Sequence, residues 1–496
     1  MYILSLMQCL LLKTSFLFKV KDVKLFQYNR NTIMSLHASA STMISNSNIN
    51  NSENDNKRIA TIMHDVFNSE HNNTFSIYVT GGGSIALANI LQVPGASSSF
   101  ISGHIPYSHG ALKELIHDND DSNGSCSSDM AVKISKAAYK KTIELVLDDN
   151  KDLKALTNKN IFGVGCTAAI VSSQPKKGSH RCYVAASNYK ENKIYSIQLE
   201  KGRRTRVDED RVCGNLILDM ISSNSNINSY SPFLFTKDYI YPSSSSNDIE
   251  VINETIIENN DVLDSIYSRK TGHVLFIKKN SIVCDTDKNS IISDFHYYED
   301  IKLPKNTIVY PGSFNPLHEG HVKLVVATIQ KLALESPLVV FEMSALNPDK
   351  PPIARDEIIR RLKQFDPDNN SLLKENGLTN IGVSITSLPL FFEKSQIFRN
   401  CNFLVGADTL VRLIDPKYYD NSINRMVSAM SIMYERNCKF VVGGRCVGDN
   451  FSTAEKILES DSATVLPDSI RSMFISLPEE EFRIDLSSTQ IRNQMK

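Results

Sequence analysis

The chain predicts an α/β fold in two domains, the second built on a doubly wound parallel sheet. Three observations predict it. Its 496 residues exceed what one hydrophobic core supports. A Ser/Asn-rich run at 222–231 and a serine run at 243–248 interrupt it near the middle. On both sides of the interruption, short β-branched runs alternate with amphipathic stretches, as strands do when interleaved with helices.

In order along the chain, residues 1–56 are a leader. Its first part is apolar and basic with one acid, Asp22, but Lys13, Lys19 and Lys21 interrupt it too often for a membrane span. A targeting peptide and an unstructured leader are the two readings. Residues 41–56 are Ser/Asn-rich and cannot bury enough apolar surface to order themselves. A first α/β domain is expected over 57–222, with strands at 75–79, 161–164, 168–171, 181–186 and 193–199 and helices at 131–147 and 210–221. Residues 223–305 are expected to be a connector in which HVLFIKK and SIVCDT make a small hairpin. The last domain, 306–496, reads as strands at 307–310, 338–343, 381–386, 402–405 and 439–442. Helices fall between them at 321–334, where Val322, Val325, Val326, Ile329 and Leu332 share a stripe, and at 355–365. In a parallel doubly wound sheet, ligands bind outside the carboxyl ends of the strands, so the chemistry is expected in the loops that follow them.

The bulk charge excludes some classes. With 54 basic against 55 acidic residues, no domain-wide field draws the chain to nucleic acid or to a membrane surface. Nine cysteines, with no C-x-x-C pair, argue for a reducing compartment and against a disulfide framework or a zinc cluster.

The first loop of the last domain, YPGSFNPLHEGHVKL, carries the strongest signal. Gly312 permits a sharp exit from the strand, and Gly320 lets backbone come close to a ligand at a helix start. Such a start offers unpaired N–H groups and partial positive charge, which suit a phosphate. His318 and His321 face the same way there and can donate to phosphate oxygens. The H-E-x-x-H spacing of a zinc site is absent.

The run G-S-F-N-P-L-H-E-G-H resembles the H-x-G-H signature of the nucleotidylyltransferase superfamily, in the form seen in nicotinate and nicotinamide mononucleotide adenylyltransferases. The resemblance implies a Rossmann-like nucleotidylyltransferase fold in which His318 and His321 are catalytic. It implies that Gly312, Ser313, Phe314 and Gly320 serve the nucleotide phosphates. Four later segments occur in the family's order, among them Val441-Val442-Gly443-Gly444-Arg445, which resembles the strand and exit that follow the family's Gly-Ala-Asp turn. Asn347 and Lys350, with Arg355 opening the next helix, resemble the loop that closes over the acceptor. Gly406-Ala407-Asp408 resembles the turn whose carboxylate contacts the nucleotide. Ser487-Ser488-Thr489-Gln490-Ile491-Arg492 resembles the second signature, which implies that Ser488, Thr489 and Arg492 bind the β and γ phosphates.

Residues 57–222 resemble the C-terminal domain of the CinA family, which includes nicotinamide-nucleotide amidases, most specifically through PGASSSFISGHIPYS. The amidase pattern is incomplete. Tyr78 stands at the nucleophilic serine's position, Leu112 at the lysine's with Lys113 one place along, and the glycine-rich loop is replaced at 166–170. The domain is therefore expected to be non-catalytic, either a ligand-binding or oligomerisation module or a bare scaffold.

The function implied is transfer of a nucleoside monophosphate, adenylyl from ATP, to nicotinamide or nicotinate mononucleotide with release of pyrophosphate. Alternatives are another acceptor, such as phosphopantetheine or a phosphorylated alcohol with ATP or CTP as donor, and a non-catalytic nucleotide-binding regulator. The partners expected are the triphosphate and a small phosphorylated acceptor, with a homo-oligomer left open. Mg²⁺ is expected from triphosphate chemistry alone. The compartment expected is the cytoplasm, or an organelle if the leader is a transit peptide.

Overall fold

A computed structural model of the chain describes residues 54–116, 125–175, 177–240, 250–259, 261–279, 294–346, 351–367, 369–447 and 450–483. The leader's targeting reading, the SIVCDT segment, Asn347, Lys350, Ser488, Thr489 and Arg492 lie outside the described residues. Residues 59–496 form one compact unit built on two large sheets.

The first sheet contains β1 (Thr74–Thr80), β2 (Phe100–His104), β3 (Ile161–Ala169), β4 (His180–Ser187), β5 (Glu191–Leu199) and β6 (Asn253–Glu258), in the order β2-β1-β3-β4-β5-β6. The β1 strand pairs parallel with β2 and β3, and the remaining pairs are antiparallel. The runs expected at 161–164 and 168–171 are joined in the single strand β3. Gly163 and Gly165, which break the β-branched pattern, are small because a helix lies directly on them. A Cβ at Gly163 would sit 2.0 Å from the Tyr139 nitrogen. After β1 comes α1 (Ile85–Leu91); the helix on the glycines is α2 (Ser128–Asn150), and α3 (Arg206–Asn224) follows β5. Ser127 caps α2 by accepting from Met130 N–H, and a Thr205/Asp208 capping box opens α3.

The second sheet contains β7 (His273–Lys278), β8 (Phe295–Glu299), β9 (Ile308–Pro311), β10 (Val339–Ser344), β11 (Ile381–Thr386), β12 (Asn402–Gly406) and β13 (Lys439–Gly443). A small hairpin, β14 (Arg445–Val447) and β15 (Asn450–Ser452), precedes its last strand, β16 (Phe474–Leu477). The order is β16-β13-β12-β9-β10-β11-β7-β8, parallel from β16 to β11. From β9 the chain winds outward through β10 and β11, then returns to lay β12, β13 and β16 on β9's other side. The switch in direction therefore falls between β9 and β12, where such sheets leave a crevice for a ligand. The helices on this sheet include α4 (Glu319–Lys331), α5 (Arg355–Leu362), α6 (Phe391–Ile397), α7 (Ala407–Leu413) and α8 (Ile423–Glu435).

The described residues of the segment expected as a connector contribute strands to both sheets. Its β6 edges the first sheet, and its β8 edges the second, with β7 pairing antiparallel between β8 and β11. The HVLFIKK strand thus has β11 and 295–299 as its partners among the described residues.

The two sheets share a core through α2. Ile143, Val146 and Leu147 of that helix, with Leu153 and Leu156 beyond it, pack in one cluster with Leu275, Val309, Val340, Phe403 and Phe440 of the second sheet. Hydrogen bonds close the same seam. Asn380 accepts from Leu153 N–H at 3.0 Å and donates to the Lys151 carbonyl at 2.7 Å, while Lys302 N–H donates to Glu144 at 3.2 Å.

Candidate active site

The site begins where β9 ends. Gly312 has no room for a side chain, since a Cβ would lie 2.6 Å from the Phe314 ring. Phe314 then takes a left-handed backbone, φ 43°, which a bulky residue seldom adopts. Its ring is fully buried against Tyr310, Phe341 and Phe365. This residue, expected to serve the phosphates, shapes the loop from the core, and its side chain is closed to a ligand. The loop is also held from α5 and the turn after it. Arg361 donates to the Ser313 carbonyl at 3.0 Å, and Gln364 donates to the Phe314 carbonyl at 3.0 Å while accepting from Leu317 N–H at 2.8 Å.

His318 is the N-cap of α4 and His321 lies in its first turn, with ring centroids 3.7 Å apart. The His318 backbone N–H donates to His321 Nδ1 at 3.2 Å. That bond fixes the tautomer: Nδ1 is an acceptor, so the neutral ring keeps its proton on Nε2. Burial, and secondarily His318, pushes the His321 pKa down to about 3, and burial lowers that of His318 as well. Both rings are thus neutral donors at neutral pH. The His318 Nδ1 is buried without a hydrogen-bond partner.

A cleft of about 980 Å³ opens beside the loop, within the range of small-molecule sites. Pro311, Gly312, Ser313 and Asn315 form one rim, Glu342 and Ser344 come from the end of β10, and Glu357 and Arg361 come from α5. Phe391 and Lys394 of α6, Thr409 and Arg412 of α7, and Tyr418 and Tyr419 also line it. Two charge pairs lie in its walls. Lys394 meets Glu342 at 2.6 Å with both side chains almost wholly buried, and Arg361 meets Glu357 at 2.7 Å.

The remaining expected residues divide. Gly406 is the N-cap of α7 with open space where a Cβ would go, and Asp408 lies in that helix's first turn, exposed and paired with Arg445. Gly320 is buried in α4. Ala354 and Glu357 line the cleft, whereas the Arg355 guanidinium between them is taken by Asp261 and Asp264. Glu342, Lys394, Arg361, Gln364 and Arg412 were not visible as site residues in the sequence. One signal was present: Glu342 is the lone charge in the apolar run Leu338-Val339-Val340-Phe341-Glu342-Met343.

The corresponding region of the first sheet is closed. Tyr78 and Leu112 pack together in an apolar cluster with Met130, Ile134 and Ala138. Burial raises the Tyr78 phenol above its ordinary pKa. In the glycine turn after β1, Gly83 N–H already donates to Asp210 at 2.7 Å and Ser84 Oγ lies 3.4 Å from the same carboxylate.

Among solved structures, the chain is similar to the competence/damage inducible protein CihA of Agrobacterium tumefaciens. The match covers 34% of this chain and 96% of that one at 12% identity, with a TM-score of 0.27. The competence-damaged protein (CinA) superfamily protein of Enterobacter cloacae matches over 34% and 90% at 5% identity, with a TM-score of 0.26. Curated relatives include a protein named probable nicotinate-nucleotide adenylyltransferase of Clostridium botulinum, 24% identical over 38% of this chain and 87% of its own length. Proteins of the same name from Clostridium novyi and Clostridium kluyveri are 28% and 29% identical over 38% of this chain and 86% of their own lengths. Residues 309–494 match the family model described as cytidylyltransferase-like, which supports a nucleotidyl-transferring enzyme domain in this part of the chain.

Proposed function

We propose that the chain transfers the adenylyl group of ATP to a pyridine mononucleotide. The observation that carries this reading is the pair of neutral imidazoles at the start of α4, which follow a loop at the switch point of the sheet whose residues Gly312, Ser313 and Asn315 line a cleft of about 980 Å³. An acceptor phosphate oxygen attacks the α-phosphorus of ATP, a new P–O–P linkage forms, the bond to the β-phosphate breaks, and pyrophosphate leaves. Negative charge grows on the non-bridging oxygens at the five-coordinate stage. The N–H groups of α4, the Nε2–H group of His321 and the ring N–H of His318 supply fixed donors for it. Holding both phosphates in line supplies much of the remaining acceleration.

Mg²⁺ is part of the proposal as an ion that arrives on the triphosphate. Among the described residues no cluster of three metal-ligating side chains is present, and magnesium held mainly by phosphates needs one or two carboxylates at most. The first-sheet half is proposed to be non-catalytic, because the positions of nucleophile and lysine are core and the glycine turn is filled by Asp210.

Mass spectrometry of products from purified protein, given ATP or CTP and a panel of phosphorylated acceptors, tests the reading. A dinucleotide from ATP and a pyridine mononucleotide is the expected product. Turnover confined to CTP, or to a non-nucleotide acceptor, would refute it.

A further inference from the structure

The side chains that grip the loop at 313–317 come from one short stretch, 360–364. Gln364 reaches across the turn from Phe314 to Leu317, donating through Nε2 to the Phe314 carbonyl at 3.0 Å and accepting through Oε1 from Leu317 N–H at 2.8 Å. Its amide can do both in one orientation only, since the oxygen accepts and the nitrogen donates. Arg361 donates to the Ser313 carbonyl at 3.0 Å, and Arg360 donates to Asn315 Oδ1 at 2.6 Å. Glu357 aims both arginines: its Oε1 accepts from Arg361 Nε at 2.7 Å and from Arg360 Nη2 at 2.8 Å, and its Oε2 accepts from Arg360 Nε at 2.7 Å. The gripping stretch is anchored in turn, with Asn370 Nδ2 donating to the Gln364 carbonyl at 2.7 Å.

We infer that Gln364 is a positioning residue for nucleotidyl transfer, the side chain that sets where both imidazoles stand. The inference rests on the reading above that transfer occurs at this loop. The grip ends one residue short of the histidines. Gln364 holds Leu317 N–H, the next N–H, that of His318, donates to His321 Nδ1, and His318 caps α4. A shift of the backbone at 317 therefore moves both rings, whose centroids are 3.7 Å apart. At the other end of the turn Phe314 keeps its left-handed φ of 43°, a conformation that persists where the surroundings over-determine it. Gln364 is not among the residues that line the cleft, so it acts through the loop and not on a substrate. Displacing a reacting group by about 1 Å costs up to roughly a hundredfold in rate, so a small relaxation of this turn is enough to matter.

The test measures transfer from ATP to a pyridine mononucleotide by the full chain. Gln364→Leu loses both bonds, and its kcat is expected to fall roughly tenfold to a hundredfold with an unchanged circular dichroism spectrum. The KM for ATP should stay within about threefold, since what is lost is felt in the transition state. Gln364→Glu separates positioning from bulk stability. Below the pKa of the new carboxyl, its O–H donates to the Phe314 carbonyl and its C=O accepts from Leu317 N–H, as the amide does. Above it, the carboxylate has no donor and faces a carbonyl oxygen. The side chain is half-buried, which raises that pKa above the ordinary carboxylate value. The variant-to-native ratio of kcat is expected to fall about tenfold from about pH 5 to about pH 8. Arg360, Arg361, His318 and His321 are common to both proteins, so their titration cancels in the ratio. Native kcat in Gln364→Leu, or a flat ratio for Gln364→Glu, overturns the inference and leaves the transfer reading standing. Should Gln364→Leu fail to fold, the Gln364→Glu ratio decides. Native protein without turnover sinks both.

Discussion

Both sheets place a glycine turn and then a helix after a central strand, and the two turns have opposite fates. After β1, the turn at residues 81–83 is pinned from within. A Cβ at Gly81 would fall 2.0 Å from the Ala168 carbonyl oxygen, and Gly83 N–H is already bound to the Asp210 carboxylate. The following helix has seven residues and no side-chain cap. After β9, the turn is pinned from behind, by Arg361 and Gln364 on its carbonyls, and Gly312, Ser313 and Asn315 line a cleft ahead of a 13-residue helix. The contrast shows that a strand, a glycine turn and a helix do not make an anion site by themselves. What decides is whether the protein supplies its own anion to the turn.

The sharpest way to break the comparison is His321→Ala. If the open turn is where charge develops, kcat should fall with a loss of roughly 3–4 kcal/mol in transition-state stabilisation while the circular dichroism spectrum is retained. Unchanged kcat would remove the distinction between the two turns. Next in size, Leu112→Lys puts an ammonium among Met130, Ile134 and Ala138. Its expected cost is about 3 kcal/mol or more in urea unfolding. Neither that variant combined with Tyr78→Ser nor the native protein should release ammonia from nicotinamide mononucleotide. Ammonia that disappears on mutating a first-sheet residue would show the closed region to be open.

The third prediction uses pH. His321 titrates near 3 in the folded protein because of burial first and His318 second, against an ordinary value of 6.5. Between those values the unfolded chain binds a proton that the folded one does not, so stability rises with pH there. The contribution is complete above about pH 6.5 and is lost as pH falls toward 3, at roughly 1.4 kcal/mol per pH unit. Urea melts of native protein and His321→Asn across pH 4–7 should differ by that slope. Parallel curves would contradict the buried, neutral ring. The smallest effect belongs to Asp210→Asn. Weakening a charged acceptor that is half exposed should cost about 1 kcal/mol. Adenylyl transfer should stay within about twofold of native, and a larger loss would mean that the closed turn serves the open one.

Much of the second sheet was legible because its strands are short, apolar and separated by periodic helices. The run expected at 381–386 is β11 to the residue. The loop at 310–324 declared itself because its glycines, proline and histidines are contiguous. Other features join distant residues and leave no local trace. Lys394 lies 52 positions from Glu342, and nothing in the pattern of α6 distinguishes it from a surface lysine. Arg361 and Gln364 read as ordinary helix charges, and only the fold aims them at the carbonyls of 313 and 314. The closing strand β16 is four residues long and was not anticipated. Arg355 was expected in the cleft because of its place in a motif, but Asp261 at the cap of the helix Val262–Tyr267 lies close enough to bind it.

The helix α2 has a genetic consequence. Its apolar residues are part of the packing on which β9 rests, although the helix itself is laid on the first sheet. A screen for lost transferase function should therefore recover lesions at Ile143, Val146 and Leu147, more than 150 positions upstream of the histidines. Polar replacements there would behave like alleles of the transferase, and a gene cut between the two sheets would leave the second without this packing.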